Sequence, residues 1–296
     1  GKYEMPKRTD AYAYGTLTPD ETDRQHSRQK MIDFILANQF DDGGWNLQPK
    51  DNGGSGYHAV SDVDMTGMAM IALAPYMKQA KVKKAIDRAI TYLSKQQKAS
   101  GGFGSWGTVN SESCAQAICG LLACGVNPNT DSRFIKNGKS VLDGLMSFYD
   151  EKVGGFRHVN TASGGYEPVA NQMATEQAYY ALAFFYKTVP GQTALTKASK
   201  AGSGKLKVTW KKAAINNDYV TKQSGKTAAV SGYQIVCATD KKFTKNVVKT
   251  TVSGKSLSKT VTGLKKGKTY YVKVRAYKAV NGKKVYGLYS SVKVVK

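Results

Sequence analysis

The chain has 296 residues, 41% hydrophobic and 22% charged, which is enough for about two domains with sizeable cores and argues against a disordered polymer. Its net charge of +23 is lopsided: residues 1–190 carry 20 Lys+Arg against 19 Asp+Glu, whereas residues 191–296 carry 24 against 2. Arg275 is the one arginine among those 24 cations, and since base-edge and phosphate readers favour the bidentate guanidinium fork, specific nucleic-acid recognition is disfavoured.

Taken in chain order, the first 190 residues read as helices with a repeated turn. Apolar residues at helical spacing (Met31-Ile32, Phe34-Ile35-Leu36) lead to Gln39-Phe40-Asp41-Asp42-Gly43-Gly44-Trp45. The same order returns with Ala85-Ile86, Ala89-Ile90 and Leu93 before Gln97-Lys98-Ala99-Ser100-Gly101-Gly102-Phe103. It returns again with Val141-Leu142 and Leu145-Met146 before Asp150-Glu151-Lys152-Val153-Gly154-Gly155-Phe156. The closing aromatics lie 58 and 53 residues apart, the spacing of a supersecondary repeat. After each turn a second, more apolar helix is expected, from Asp64 to Tyr76, Ser113 to Ala123 and Thr175 to Tyr186, aligned on Ala72-Leu73, Gly120-Leu121 and Ala181-Leu182. Small residues such as Gly67, Ala115 and Gly120 would let these inner helices approach closely.

Residues 191–202, small and polar, read as a linker. From residue 203 the apolar period becomes two, as in Leu206-Lys207-Val208-Thr209-Trp210 and Tyr271-Val272-Lys273-Val274-Arg275, which predicts short strands and a β-sandwich over 203–296. Cys114, Cys119 and Cys124 recur every five residues of a helical stretch, so their thiols turn by about 140° per step and cannot line one face; neither a disulfide frame nor a zinc cage follows.

The three turns resemble the Q-x-x-x-G-x-W/F signature of the prenyltransferase and squalene cyclase repeat superfamily. Gln39/Gly43/Trp45 and Gln97/Gly101/Phe103 match fully, and Asp150/Gly154/Phe156 in part. The stretches Asp62-Val63-Asp64-Met65-Thr66, Asn110 to Gln116 and Asn171 to Gln177 look closer to the transcobalamin and intrinsic-factor-like branch and its bacterial surface relatives. The resemblance covers about residues 20–188 and implies an all-α partial α/α toroid of three hairpins. The second segment resembles a fibronectin type III domain, with Trp210 on an early strand, Ser231-Gly232-Tyr233-Gln234-Ile235 on a middle one and Leu264 to Tyr270 at its tyrosine corner. Lys266 stands where that family commonly has proline.

A terpenoid cyclase of this superfamily protonates its substrate from a D-x-D-D segment. Here Asp62-Val63-Asp64-Met65 lacks the last acid, and helix capping by Ser61, Asp62 and Asp64 is the favoured reading. His26, His58 and His158 lack a matched cysteine for a prenyltransferase-type zinc and are read as surface polar residues. Ligand-binding residues are expected at the inner-helix ends: Tyr57, Asp62, Asp64, Glu112, Gln116, Glu176, Gln177 and Tyr180, converging on a shared mouth. No cofactor, metal or catalytic residue is expected.

The expectation is therefore a non-catalytic binding module of a secreted, Gram-positive cell-surface protein. Its partner would be a host protein or glycoprotein, immunoglobulin among the candidates, with an anionic cell-wall contact through the lysine-rich β domain. Corrinoid (cobalamin) binding and terpenoid cyclase-like activity are the alternatives. With Gly1 first, no signal peptide and no apolar run of about 18 residues, the sequence reads as an excerpt of a longer secreted protein without a transmembrane segment.

Overall fold

The computed structural model describes residues 25–50, 60–215 and 229–296. The chain divides into two compact units, Gly1–Phe185 and Tyr186–Lys296. Among the described residues the first unit holds three helical pairs. These are α1 (Gln25–Ala37) with α2 (Val63–Leu73), α3 (Ala80–Gln96) with α4 (Ser111–Ala123), and α5 (Val141–Met146) with α6 (Gln172–Thr188). The outer helix α3 buries Val82, Ala85, Ile86, Ala89, Ile90 and Leu93, one stripe at helical spacing. The inner helix α4 is buried along almost its whole length, as its small and apolar sequence requires.

The repeated turns explain why helix pairs stack. Gln39 donates its side-chain amide to the Gly43 carbonyl and to the Ala85 carbonyl of α3, both at 2.8 Å. Gln97 donates in the same way to the carbonyls of Gly101 and Phe134, both at 3.0 Å. Each amide thus closes its own turn and ties it to the next repeat. The aromatics Trp45, Phe103 and Phe156 are buried, and their backbone N–H groups donate to Thr66 Oγ1, Cys114 Sγ and Thr175 Oγ1. Those acceptors stand four residues after Asp62, Asn110 and Asn171, whose side chains accept from Met65, Ser113 and Ala174 N–H and cap the inner helices. The three inner helices therefore superpose in the register expected from Ala72, Gly120 and Ala181.

Two glycine requirements are visible. Gly101 has φ +85, and a Cβ there would lie 2.2 Å from the Ser140 carbonyl oxygen. Where α2 crosses α4, a Cβ on Gly67 would lie 2.5 Å from the Gln116 carbonyl, and one on Gly120 would lie 3.0 Å from Gly67 Cα. In the third turn Asp150 replaces glutamine. A carboxylate has no amide hydrogen to donate, so this turn closes instead as a small hairpin of β3 (Tyr149–Asp150) and β4 (Gly155–Phe156). In the second repeat, β1 (Phe103–Ser105) and β2 (Thr108–Asn110) form another.

The second unit is the expected two-sheet sandwich of fibronectin type III-like order. One sheet is β5 (Leu195–Lys200), β6 (Leu206–Trp210) and β9 (Ser258–Val261). The other runs β11 (Lys283–Tyr286), β10 (Tyr270–Val280), β7 (Gly232–Ala238) and β8 (Val248–Ser253), with β12 (Lys293–Val295) also on β10. Trp210, Tyr233, Ile235, Val272 and Val274 fill the core between them. The Lys265 N–H donates to Tyr270 Oη at 2.8 Å, forming the tyrosine corner.

The linker reading of 191–202 needs correction. Residues 195–200 are β5, which pairs with β6 and buries Leu195. Its sequence Leu-Thr-Lys-Ala-Ser-Lys carries one large apolar residue, because an edge strand with one solvated face needs few. Of the long loop expected over Lys211 to Val230, residues 216–228 lie outside the described residues.

Gln97→Leu should test the stitch. It leaves the buried carbonyls of Gly101 and Phe134 without the amide, so the helical unit should lose about 2–4 kcal/mol, measured by denaturant unfolding followed by far-UV circular dichroism. A loss under about 0.5 kcal/mol would show that the amide is dispensable.

Candidate functional site

Three of the expected residues, Asp62, Asp64 and Glu112, come together where the N-termini of α2 and α4 meet. Asp62 is buried as the cap of α2 and also accepts from the Ser105 hydroxyl of β1. Two positions further along α2, Asp64 presents an Oδ1 that is shielded from solvent and has no hydrogen-bond partner. Burial pushes the Asp64 carboxyl up to about 7, and the charges of Asp62 and Glu112 add to the rise.

Glu112 occupies in α4 the place Asp64 occupies in α2, two residues after the cap. It is 5% exposed and hydrogen-bonds through Oε2 to His158 Nδ1 at 2.8 Å and to the Ser111 hydroxyl at 2.9 Å. Its Oε1 and the Ser113 Oγ, like Asp64 Oδ1, are buried and unpaired. The His158 ring also packs at a tilt against Tyr166, with centroids 4.2 Å apart, and the His158 carbonyl accepts from Ser111 N–H.

The reading of His158 as a surface polar residue is thus overturned. Its side chain is mostly buried, because the loop after β4 carries it onto the start of α4. Its glycine-rich neighbourhood gave no sign of a partner 46 residues away. Capping also proves only part of the account of the acids: Asp62 caps, while Asp64 and Glu112 do not.

Gln116 and Gln177, the next pair in register, hydrogen-bond to each other at 3.0 Å between α4 and α6. Glu176 and Tyr180 do not line the acid cluster. They lie on the exposed side of α6, with Tyr180 60% exposed. Tyr57 lies outside the described residues, as do His58 and the side chain of His26.

Beside the acids is a cleft of about 250 Å³ whose wall includes Asp62, Tyr92, Lys98, Ser105 and Trp106, but not Asp64. Tyr92 Oη donates to the Ser61 carbonyl; its phenol is pushed up by burial and by the charges of Asp42, Asp62 and Asp64. Trp106 and Gly107 form the two-residue link between β1 and β2, with φ +50 and +83. Such a link favours asparagine or glycine, yet a tryptophan stands there, 57% exposed. The dipeptide Trp-Gly between Ser105 and Thr108 was the available signal, and composition alone did not single it out.

The cysteines offer no chemistry here. All four are buried, and burial pushes Cys114, Cys119 and Cys237 up to about 12, far from a reactive thiolate. Among the described residues no three His, Cys, Asp or Glu side chains are placed to hold a metal ion. No described helix is long and apolar enough to cross a membrane.

In sequence comparison, residues 11–145 match the family described as Squalene-hopene cyclase C-terminal domain. No curated protein matches the chain. Among solved structures, the second unit is similar to the FN5 domain of Drosophila Lar, with 27% identity over 36% of this chain and 95% of that one, at a TM-score of 0.26. It is also similar to the chicken CNTN1 FN1-FN3 domains, at 22% identity over 36% of this chain and 30% of that one, TM-score 0.25. A third is an Fn3-like protein from Clostridium thermocellum, at 16% identity over 37% of this chain and 93% of that one, TM-score 0.25.

A pH dependence follows from Asp64. Below the ordinary carboxyl range near 3.8 the group is protonated folded or unfolded. As pH rises from there through about 7, the unfolded chain ionises it more readily, and stability is lost. Asp64→Asn should therefore gain on the parent between pH 5 and 8, by on the order of a few kcal/mol, read as a widening gap in Tm. A gap that stays constant with pH would mean that Asp64 ionises like an exposed acid.

Proposed function

We propose that the helical unit is a non-catalytic binding module of a secreted cell-surface protein, recognising a host protein or glycoprotein through the outward side of α6. The observation that carries this reading is a substitution within the repeat. Counting from the caps, Gly67 and Ile71 of α2 correspond to Ala115 and Cys119 of α4 and to Glu176 and Tyr180 of α6. The first two copies keep small or apolar residues there, and Ala115 and Cys119 are buried. The third has Glu176 and Tyr180, joined one turn earlier by Met173, which is 56% exposed.

Spaced at i, i+3 and i+7, these side chains share one helix face. A position that elsewhere lets helices meet closely has been rebuilt with a large aromatic, a flexible thioether and a charge. Tyrosine and methionine exposed together are the composition of a recognition surface rather than of a helix-stacking one.

A second reading has its own observation, the raised pKa of Asp64, which keeps on the carboxyl, near neutral pH, the proton that a donor to an alkene must carry. The cleft beside it does not reach Asp64, and Met65 stands where the cyclase segment has its last acid, so the binding reading is favoured.

The test is retention of purified immunoglobulin, and of a purified mucin-type glycoprotein, by the immobilised full chain at physiological salt. Retention of either, reduced at least about tenfold by Tyr180→Ala together with Met173→Ala in a chain of unchanged Tm, supports the reading, since aromatic anchors commonly carry 2 kcal/mol or more. No retention, or retention indifferent to both substitutions, refutes it. Turnover of squalene by the chain, lost in Asp64→Asn, would establish the second reading instead.

A further inference from the structure

The cations of the second unit are not evenly spread. The β5–β6 turn and the β9–β10 turn face each other across a cleft of about 300 Å³. Lys200 and Lys205 stand on one lip and Lys265, Lys266 and Lys268 on the other, with Tyr270 in the floor. All five lysines are exposed and Tyr270 is buried, so the cleft has a cationic rim and an apolar base.

Among the described residues no carboxylate is on its wall. The second unit has only Asp218 and Asp240 as acids, and Asp240 is engaged by the N–H groups of Thr244 and Lys245. The lips are tight backbone turns held together by Ala201 N–H to the Lys205 carbonyl and Leu264 N–H to the Gly204 carbonyl. The five ammonium groups are therefore gathered by the fold and left without an acid of the same cleft to neutralise them.

From this geometry we infer that the cleft binds a linear polyanion built of phosphate groups. The residue type selects the class. An ammonium is a compact point charge that can share any oxygen of a tetrahedral phosphate without the directional fork of arginine, so this rim fits repeated phosphate contacts that carry no base or sequence specificity. A polymer lying in the cleft would meet lysines of both lips, and successive phosphates along it would meet successive lysines. This site is independent of the α6 surface proposed above and lies wholly within the second unit.

The experiment uses the full chain with long-chain inorganic polyphosphate as probe, and hyaluronate as a carboxylate polymer for comparison. Binding is followed by calorimetry across a salt series. Lys200→Gln, Lys265→Gln and Lys268→Gln together should weaken polyphosphate binding about tenfold or more near 0.1 M salt and reduce the slope of log K against log salt by about 2. The control replaces Lys212, Lys255 and Lys283 by glutamine. These are exposed and sit at the opposite strand ends, and the control should cost no more than about threefold.

Both triple variants change only exposed side chains, and an unchanged Tm verifies their folds. Equal losses in the two would show a diffuse lysine coat and overturn the site. Hyaluronate bound as tightly as polyphosphate would overturn the phosphate class, and no binding of polyphosphate even at low salt would overturn the proposal outright.

Discussion

The helical unit depends on one interaction used twice, a buried glutamine amide that donates to two carbonyls at once. Gln39 and Gln97 each satisfy the carbonyl of their own turn and a carbonyl of the repeat that follows. Buried carbonyls of a tight turn are costly when unpaired, and a turn that can be satisfied only by its successor makes each repeat incomplete alone. Arg88 strengthens the first junction by donating to Gln39 Oε1 and to the carbonyls of Phe40 and Asp41. The third turn, with Asp150, has no such donor, and there the array stops repeating faithfully: the outer helix α5 shrinks to 6 residues.

The same loss of repetition creates the functional differences along the array. Two residues after the inner-helix cap stand Asp64, Glu112 and Met173. Identical backbone positions carry an acid with a raised affinity for its proton, an acid bound to His158, and an exposed thioether. A repeat scaffold fixes where these side chains emanate from, while the neighbouring repeat decides what they meet. For Glu112 that is the loop bearing His158 and Tyr166. For Asp64 it is the neighbouring copy's own acid, which is why two unpaired carboxylate oxygens and the Ser113 hydroxyl are left crowded in one dry place.

How much of this was legible follows from the range of each interaction. The turns and inner helices were readable because their signals are local and occur three times in register, so Gln39, Gln97 and the aromatics identified one another. The tyrosine corner was readable because Leu264 to Tyr270 encodes a single compact turn. The strand β5 was hidden because an edge strand on a lysine-coated sandwich carries one buried apolar side chain, Leu195, and otherwise resembles a linker. The His158–Glu112 pair was hidden because the residues lie 46 apart in segments that share no pattern. Convergence of the expected ligand residues failed at Glu176 and Tyr180 for a related reason: helical register places them correctly on α6, but what packs against that face, not the register, decides whether it is interior.

The charge asymmetry between the units has a physical consequence of its own. In the helical unit surface cations find acids, as in Lys81–Asp33, Lys83–Asp87 and Arg133–Asp131, pairs worth little individually but neutral in sum. In the second unit the fold works without such pairs. Its sheets close on an apolar core, and its outer sheet face is sealed by stacked cations and rings, with Lys273 between Phe243 and Tyr289, and Arg275 against Tyr289 and Tyr286. Those stacks, with Lys284 over the Tyr277 ring, use three of the 24 cations. The remaining lysines repel one another and contribute no core packing, so they oppose folding rather than aid it. A polyanion lying in the cleft proposed above would offset this repulsion where five lysines meet.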